Sequence, residues 1–196
     1  MKKKGLAMVL ALVLLAVCAV SGTLAWLTAK SDEVTNTFTA SDIEVKLDET
    51  KGTTVTGGKE FKMIPGYTIG KDPKATVLAG SEECYLFVKL EKSTNFDTYL
   101  EYAIADGWTK LTTDKDGNNI TDLIYYRKVL TNDIGTAYSV LANDQVTVKG
   151  EVTKAMMDGL TKETLPKLTV TAYASQLYKS AGVEFTAAEA WANVNP

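Results

Sequence analysis

Apolar and polar residues alternate over several stretches of the chain, and this period of two is typical of half-buried β-strands. Residues 37–47 keep the alternation except for one phase slip near Ser41 and Asp42. We predict a strand there, with a β-bulge at the slip. A denser apolar run, residues 84–90, predicts a strand that is buried in a sandwich, and a further strand is predicted over residues 168–177.

Turn-forming and helix-forming patterns separate these strands. Residues 51–58 are rich in Gly and Thr, which predicts a loop, and Pro65 followed by Gly66 predicts a type II turn. Apolar side chains recur at helical spacing between residues 95 and 105, so we predict a short helix that Gly107 ends.

The second half of the chain predicts two hairpins and two more short helices. The hairpins pair 108–111 with 123–130 around the turn 114–119, and 138–141 with 145–152 around Asn143 and Asp144. A helical turn is predicted over 154–160. Thr186 and Glu189 have capping-box spacing, which predicts a final helix that carries Trp191.

These elements together define the predicted fold class. The chain has no internal repeat, and its strands do not alternate with long helices. We therefore predict an all-β protein: an antiparallel β-sandwich over residues 48–196, with a few short peripheral helices.

The first 25 residues have the pattern of a helical signal peptide. Lys2, Lys3 and Lys4 precede an uncharged run rich in Leu, Val and Ala, and cleavage is predicted between Ala25 and Trp26. A permanent transmembrane helix is the alternative, but about 16 apolar residues are fewer than the roughly 20 that span a bilayer. Lipid attachment at Cys18 is disfavoured, because Val17 stands where that motif needs a small residue.

Charge and composition exclude several functions. Without the three signal lysines, 18 basic residues face 24 acidic ones, so the net charge is about −6. Arg127 is the only arginine, which argues against a nucleic-acid partner. The chain has no histidine, which excludes a His-Glu-x-x-His zinc peptidase, and Cys84 is the only cysteine after the signal, so no intramolecular disulfide is expected.

Three segments resemble the TasA/camelysin family of exported biofilm-matrix proteins. They are residues 22–28 continued by 36–47, Ile64-Pro65-Gly66 with Lys71-Asp72, and residues 168–176. The resemblance implies processing by a signal peptidase of the SipW type and a jelly-roll-like sandwich at the cell surface or in the matrix. It also implies fibres in which each subunit donates an N-terminal strand to the next. Some relatives carry a metalloprotease label, which we do not transfer to a chain without histidine.

The donor segment is expected within residues 26–47. Its apolar side chains would fill a groove on the neighbouring subunit: Trp26, Leu27, Val34, Phe38, Ile43 and Val45. The expected partners are the signal peptidase, further copies of the chain and related matrix proteins. The membrane is expected to be contacted only through the uncleaved signal.

A monomeric secreted module that binds cell wall or glycan is the alternative function. Its binding surface would be built from aromatic residues: Tyr85, Tyr99, Tyr102, Trp108, Tyr125, Tyr126 and Tyr173. Core packing and cross-strand pairing also explain such residues.

Candidate metal and catalytic sites are weak. Asp114, Asp116, Asn118 and Asp122 offer oxygen ligands for Ca²⁺, but Gly117 stands fourth rather than sixth and no glutamate closes the loop, so a plain hairpin turn is favoured. We expect no metal and no cofactor.

No nucleophile has an evident activating base. Serine-hydrolase motifs are missing, and the apolar neighbours of Cys84 predict a buried, inert thiol. The carboxylates of Glu44, Asp48 and Glu49 are predicted on the solvent side, and Glu82 with Glu83 at a solvated strand start. We therefore expect a protein that is not an enzyme.

Overall fold

The computed structural model describes residues 42–194, and most of their regular structure is β-strand. The strands are β1 (Val45–Asp48), β2 (Thr53–Val55), β3 (Gly58–Glu60), β4 (Thr68–Gly70), β5 (Lys74–Val77), β6 (Cys84–Lys92), β7 (Leu100–Glu101), β8 (Thr109–Lys110), β9 (Leu123–Val129), β10 (Ala137–Ser139), β11 (Gln145–Val148), β12 (Leu168–Gln176), β13 (Tyr178–Ser180) and β14 (Val183–Glu184). The helices are α1 (Phe96–Tyr99), α2 (Lys154–Asp158) and α3 (Ala187–Val194), with 3₁₀ turns at Thr131–Asp133 and Ala142–Asp144.

The strands form a sandwich in which every pairing is antiparallel. The central sheet has the order β12-β6-β9-β8. Two smaller sheets, β1-β5-β10 and β4-β11-β7, supply the opposite layer of the main core. The pairs β2-β3 and β13-β14 are separate hairpins. The predicted all-β fold class with short peripheral helices is confirmed.

Strand β6 is buried on both faces, which explains its unbroken apolar sequence. Leu86 and Val88 point into the main core between the sheets. Tyr85 and Phe87 alternate with them and point into a second cluster on the outer face. All four side chains are at most 4% exposed. A strand that is covered on both sides cannot show the apolar–polar alternation of a surface strand.

Helix α3 covers the outer face of the central sheet. Trp191, 5% exposed, packs against Phe87 and Tyr173 with ring centroids 5.3 and 5.2 Å away. The predicted capping box is confirmed: the Glu189 backbone N–H donates to Thr186 Oγ1 at 3.2 Å, and the Thr186 N–H donates to Glu189 Oε2 at 2.8 Å.

Two other local predictions are confirmed. Gly66 has a φ of +75° and the Tyr67 N–H donates to the Ile64 carbonyl at 3.0 Å, as a type II turn requires. Helix α2 begins after Thr153, whose hydroxyl accepts a hydrogen bond from the Met156 N–H at 3.2 Å.

The predicted helix over residues 95–105 is wrong in length. Only Phe96–Tyr99 is helical, and the chain then enters β7, where Leu100 pairs with Val148 of β11. Phe96 and Tyr102 still share an apolar contact, with ring centroids 5.8 Å apart. Pairing with β11 thus overrides the helical spacing of the apolar residues.

The predicted loop over residues 51–58 is also wrong, because part of it is the hairpin β2-β3. Thr53 pairs with Glu60 and Val55 with Gly58. Gly57 has a φ of +87°, which an L-residue rarely adopts, so glycine permits the tight turn. The threonines of β2 favour a strand, because β-branched side chains fit a pleated sheet.

The predicted hairpin between residues 138–141 and 145–152 is wrong in its pairing. Strand β10 pairs with β5, whereas β11 pairs with β4 and β7 in another sheet. Asn143 and Asp144 have φ values of 55° and 53°, so they do form the predicted turn. That turn passes the chain from one sheet to the other.

The predicted N-terminal strand begins later than expected. The ladder starts at Val45, and Asp42, Ile43 and Glu44 lie outside any strand. The earlier part of the prediction, 37–41, lies outside the described residues.

Candidate assembly site at the edge of strand β12

Two of the predicted donor residues belong to the subunit's own sandwich. Val45 pairs with Val77 of β5, and Ile43 and Val45 are half-buried against the main core. The Leu78 N–H also donates to the Glu44 carbonyl at 2.9 Å. The other predicted donor residues, Trp26, Leu27, Val34 and Phe38, lie outside the described residues, as does the predicted cleavage site at Ala25. Because Ile43 and Val45 are part of this sandwich, a segment that is donated to another subunit must lie before Asp42.

Strand β12 forms one edge of the central sheet. Over its nine residues it pairs with β6 in a continuous register from Leu168 opposite Lys92 to Gln176 opposite Cys84. Strand β1 runs close to β12, but no backbone hydrogen bond joins the two in the part of the chain that the structure describes. Among residues 42–194, no strand neighbours β12 on its second side.

The register identifies which backbone groups lie on the open side. The Ser93 N–H donates to the Lys167 carbonyl at 3.0 Å, and the Leu177 N–H donates to the Glu83 carbonyl at 3.1 Å. Because hydrogen-bonded pairs recur at every second residue of an antiparallel ladder, the odd-numbered residues of β12 bond to β6. The even-numbered residues direct their N–H and C=O groups outward: Leu168, Val170, Ala172, Ala174 and Gln176.

The side chains of the same even-numbered residues point toward the main core. Leu168, Val170, Ala172 and Ala174 are half-buried there, whereas Tyr173 packs in the second cluster. A strand added along this edge would therefore extend the central sheet and also cover the open side of the core. Such an addition provides both backbone hydrogen bonds and apolar contacts.

The open edge also lacks the features that usually prevent strand addition. The sequence from 168 to 176 contains neither a charged residue nor a proline. Strand β8, at the other edge of the same sheet, has only two residues, and one of them is Lys110. Long, uncharged edges readily accept another strand, whereas short edges with lysine resist it.

A cleft of about 730 Å³ lies at the Leu168 end of this edge. Its apolar walls come from several elements and include Leu47, Met63, Ile69, Val146, Leu165 and Val170. Leu165 is 38% exposed, which is high for a leucine beside a core. The cleft therefore offers apolar surface to an extended peptide with alternating side chains.

Charged residues fix one wall of the cleft, the hairpin β2-β3. Asp72 is 5% exposed and accepts hydrogen bonds from the backbone N–H groups of Thr50 at 3.0 Å and Lys51 at 2.8 Å. Burial raises the pKa of Asp72, but the hydrogen bonds from Thr50 and Lys51 outweigh burial, so the pKa lies below its usual value. These bonds hold the chain where it enters the hairpin.

A second contact holds the other end of the same hairpin. Lys71 forms a half-buried ion pair with Glu49 at 2.9 Å, and its ammonium group lies 5.1 Å from the centroid of the Phe61 ring. The prediction that Glu49 lies on the solvent side is therefore wrong, since its side chain is only 19% exposed. This contact and Asp72 together make the cleft a preformed feature of the subunit.

The candidate calcium ligands are engaged in separate contacts. Asp114 Oδ1 accepts hydrogen bonds from the N–H groups of Asp116 at 2.9 Å and Asn118 at 2.8 Å, and these bonds build the turn. The Asn118 side chain also donates to Asp114, which lowers the pKa of that carboxyl. Asp122 forms an ion pair with Lys89 at 3.3 Å. Among residues 42–194, no three acidic or cysteine side chains meet in a group that could hold a metal ion.

Cys84 is buried in the sandwich, and the neighbouring Glu83 is held by hydrogen bonds. Cys84 is fully buried, and burial raises the pKa of its thiol to about 11. Glu83 accepts hydrogen bonds from the Thr131 N–H at 3.0 Å and the Tyr178 hydroxyl at 3.2 Å. Glu83 therefore connects the start of β6 with the segments that contain Thr131 and Tyr178, whereas the sequence predicted only a solvated strand start.

The aromatic residues considered for glycan binding do not share a face. Tyr85, Tyr126 and Tyr173 belong to the second cluster. The other four pack against the main core: Tyr99, Tyr102, Trp108 and Tyr125. They therefore form no common platform on the surface.

Comparisons with known proteins identify no relative. No family model matches the sequence, no curated protein matches it, and no solved structure matches the fold. None of the helices between residues 42 and 194 is long and apolar enough to cross a bilayer.

Proposed function

We propose that the chain is an exported structural subunit of a biofilm matrix or cell surface, and that it forms fibres by adding a strand from one subunit to the edge of β12 in another. The observation that supports this proposal is the uncharged edge of β12, which pairs with no strand on its outer side within residues 42–194 and lies beside an apolar cleft. Export and the matrix location are supported by the signal-like N-terminus and by the resemblance to TasA/camelysin proteins.

The segment that we assign to this edge is 26–41 of a second copy. It has 16 residues, which span about 53 Å when extended, whereas the nine residues of β12 need about 30 Å. The segment is therefore long enough to cover the whole edge. Val34, Phe38 and Ala40 alternate with threonines, so one face of the added strand would be mainly apolar.

The described residues also indicate where this segment leaves its own subunit. The Glu82 N–H donates to the Asp42 carbonyl at 3.4 Å, and the neighbouring Glu83 carbonyl bonds to Leu177, so residue 42 lies near the Gln176 end of β12. The residue that follows the segment thus lies near one end of the same edge. Before cleavage, attachment at the membrane would restrict its pairing, and release at high concentration would favour pairing with another subunit.

The test compares mature chain 26–196 with chain 42–196, which keeps β1 and the whole described sandwich. We expect the mature chain to form fibres that are visible by electron microscopy, and the shorter chain to remain monomeric in sedimentation. A synthetic peptide of residues 26–41 should bind the shorter chain and should block fibre growth by the mature chain. Equal polymerisation of the two chains would refute strand donation.

A peptide with the apolar face removed is the matched control. The peptide with Val34→Ser and Phe38→Ser keeps the length and the backbone but loses two of the side chains that would enter the cleft. We expect it neither to bind nor to inhibit, because backbone hydrogen bonds alone give little net affinity in water.

The alternative function, a monomeric glycan-binding module, predicts different results. The mature chain would then stay monomeric at all concentrations and would be retained on cell-wall material. The distribution of the aromatic residues over two clusters does not favour this alternative.

A further inference from the structure

The only arginine of the chain occupies an unusual position between two aromatic rings. Arg127 lies on β9, and its guanidinium carbon is 3.6 Å from the centroid of Tyr138 and 5.4 Å from that of Trp108. The Trp108 indole N–H donates to the Ser139 carbonyl at 2.8 Å, which fixes the orientation of the indole. The guanidinium is thus held in place by packing and by cation–π contact.

This arginine closes the side of the sandwich away from β12. Tyr125 and Val129 lie two positions before and after Arg127 on β9, and both point into the main core. Because side chains two residues apart on a strand share a face, Arg127 also points inward between the sheets. Tyr138 lies on β10, at the end of its sheet opposite β1. The backbone of Gly107 adds a further wall, since a Cβ placed there would lie 3.0 Å from Arg127 Nη2.

The guanidinium has no acceptor among residues 42–194. Its Nε atom is buried without a hydrogen-bond partner, and no carboxylate of the described chain lies within 4.0 Å of it. All the ion pairs that the described chain forms are made by lysines. A guanidinium carries five N–H donors in a planar fork that matches a carboxylate. Buried donors in folded proteins are nearly always satisfied by protein, water or a ligand.

We propose that Arg127, held between Trp108 and Tyr138, is a binding site for a single carboxylate group such as that of a uronic acid sugar. A monoanion suits the site better than a phosphate dianion, because Arg127 contributes one positive charge and two acids lie near it. Asp106 precedes Gly107 in the chain, and Asp133 is close enough for its charge to act on the Tyr138 hydroxyl. The site is separate from the edge of β12, so this proposal does not depend on strand donation.

The test uses the single arginine as its own reporter. In ¹H–¹⁵N spectra of the monomeric mature chain, one arginine Nε–H signal is present without any need for assignment. Sodium acetate and sodium glucuronate are added in turn, with sodium chloride at equal ionic strength and neutral methyl glucoside as controls. We expect saturable shifts with both carboxylates, with dissociation constants on the order of 10 mM or lower, and none with the controls.

A substitution separates binding at Arg127 from general salt effects. The Trp108 indole N–H signal should shift with glucuronate in the wild-type chain and in Lys128→Gln, which removes the neighbouring exposed cation. It should not shift in Arg127→Lys, because an ammonium group lacks the planar fork. Tighter binding of glucuronate than of acetate would identify a sugar acid as the ligand class, and equal binding would identify the carboxylate alone. An arginine signal that moves no more with the carboxylates than with chloride would refute the site.

Discussion

Phe87 of β6 and Trp191 of α3 lie with their ring centroids 5.3 Å apart, on the face of the central sheet that turns away from the main core. This contact places the last helix over a sheet that would otherwise expose Tyr85, Phe87 and Tyr173. Because both faces of the sheet are covered, its edges are the places where the sheet itself meets solvent.

We expect Trp191→Ala to destabilise the chain by about 3–5 kcal/mol, since it removes a buried indole from contact with Phe87 and Tyr173. The free energy of unfolding in urea, followed by circular dichroism, measures the loss. Val183→Ala is the control: Val183 is 48% exposed, so its change should stay within about 0.5 kcal/mol. A loss below about 1 kcal/mol for Trp191→Ala would contradict the assigned packing.

The cap of helix α3 predicts a dependence on acid. The Thr186 backbone N–H, the Lys179 ammonium and the Thr186 hydroxyl all donate to Glu189, and they lower its pKa from 4.5 to about 2. Because the folded pKa is depressed, the stabilisation is complete above the unfolded value and disappears as the pH falls from about 4.5 through about 2.

The comparison of Glu189→Gln with the wild-type chain tests this dependence. The melting temperature of the variant should lie below that of the wild-type chain at pH 6, and the difference should shrink toward pH 2. Glu151→Gln, a substitution of an exposed glutamate on a turn, should show no such convergence. A constant difference between Glu189→Gln and the wild-type chain would contradict the role of the carboxylate.

Local signals in the sequence predict much of this fold. A dense apolar run locates β6, the Thr186–Glu189 spacing locates α3, and Pro65 with Gly66 locates a turn. These features depend on interactions between residues that are close in sequence or on burial of a whole strand. Neither depends on which strands become neighbours.

Features that depend on distant pairing are not predicted. The turn at Asn143 and Asp144 is visible in the sequence, but the strands on either side join different sheets. The open edge of β12 is likewise invisible, because an edge is defined by the absence of a neighbour in space. Asp72 gives no local signal either, since its partners at Thr50 and Lys51 lie more than twenty positions earlier in the chain.

We expect Asp72→Asn to destabilise the hairpin β2-β3. The amide oxygen of asparagine can still accept from the backbone N–H groups of Thr50 and Lys51, but its amide nitrogen cannot accept the hydrogen bond that the Thr50 hydroxyl donates to Asp72 Oδ2. The loss of one buried partner costs about 1–3 kcal/mol. The urea unfolding midpoint and the amide exchange rates of β2 and β3 measure the effect. Asp48→Asn on neighbouring β1 is the control, because its ion pair with Lys46 is exposed and contributes little. Equal effects of the two substitutions would contradict the role of Asp72.

Lysine at the open edge should slow assembly. Thr169 on β12 and Thr109 on β8 are both exposed and lie on opposite edges of one sheet, so Thr169→Lys and Thr109→Lys form a matched pair. We expect Thr169→Lys to reduce the rate of fibre formation about tenfold or more and Thr109→Lys to leave it within about twofold, because a charge disfavours addition at the edge that bears it. Light scattering measures both rates, and equal rates would exclude β12 as the acceptor.

Hydrogen exchange along β12 tests the central claim most directly. In monomeric mature chain, the amides of Thr169, Thr171, Tyr173 and Ser175 should be protected by β6, whereas those of Val170, Ala172 and Ala174 should exchange quickly. In the fibre, both sets should be protected, because the added strand bonds to the outward groups. Outward amides that stay unprotected in the fibre, or that are already protected in the monomer, would contradict the account.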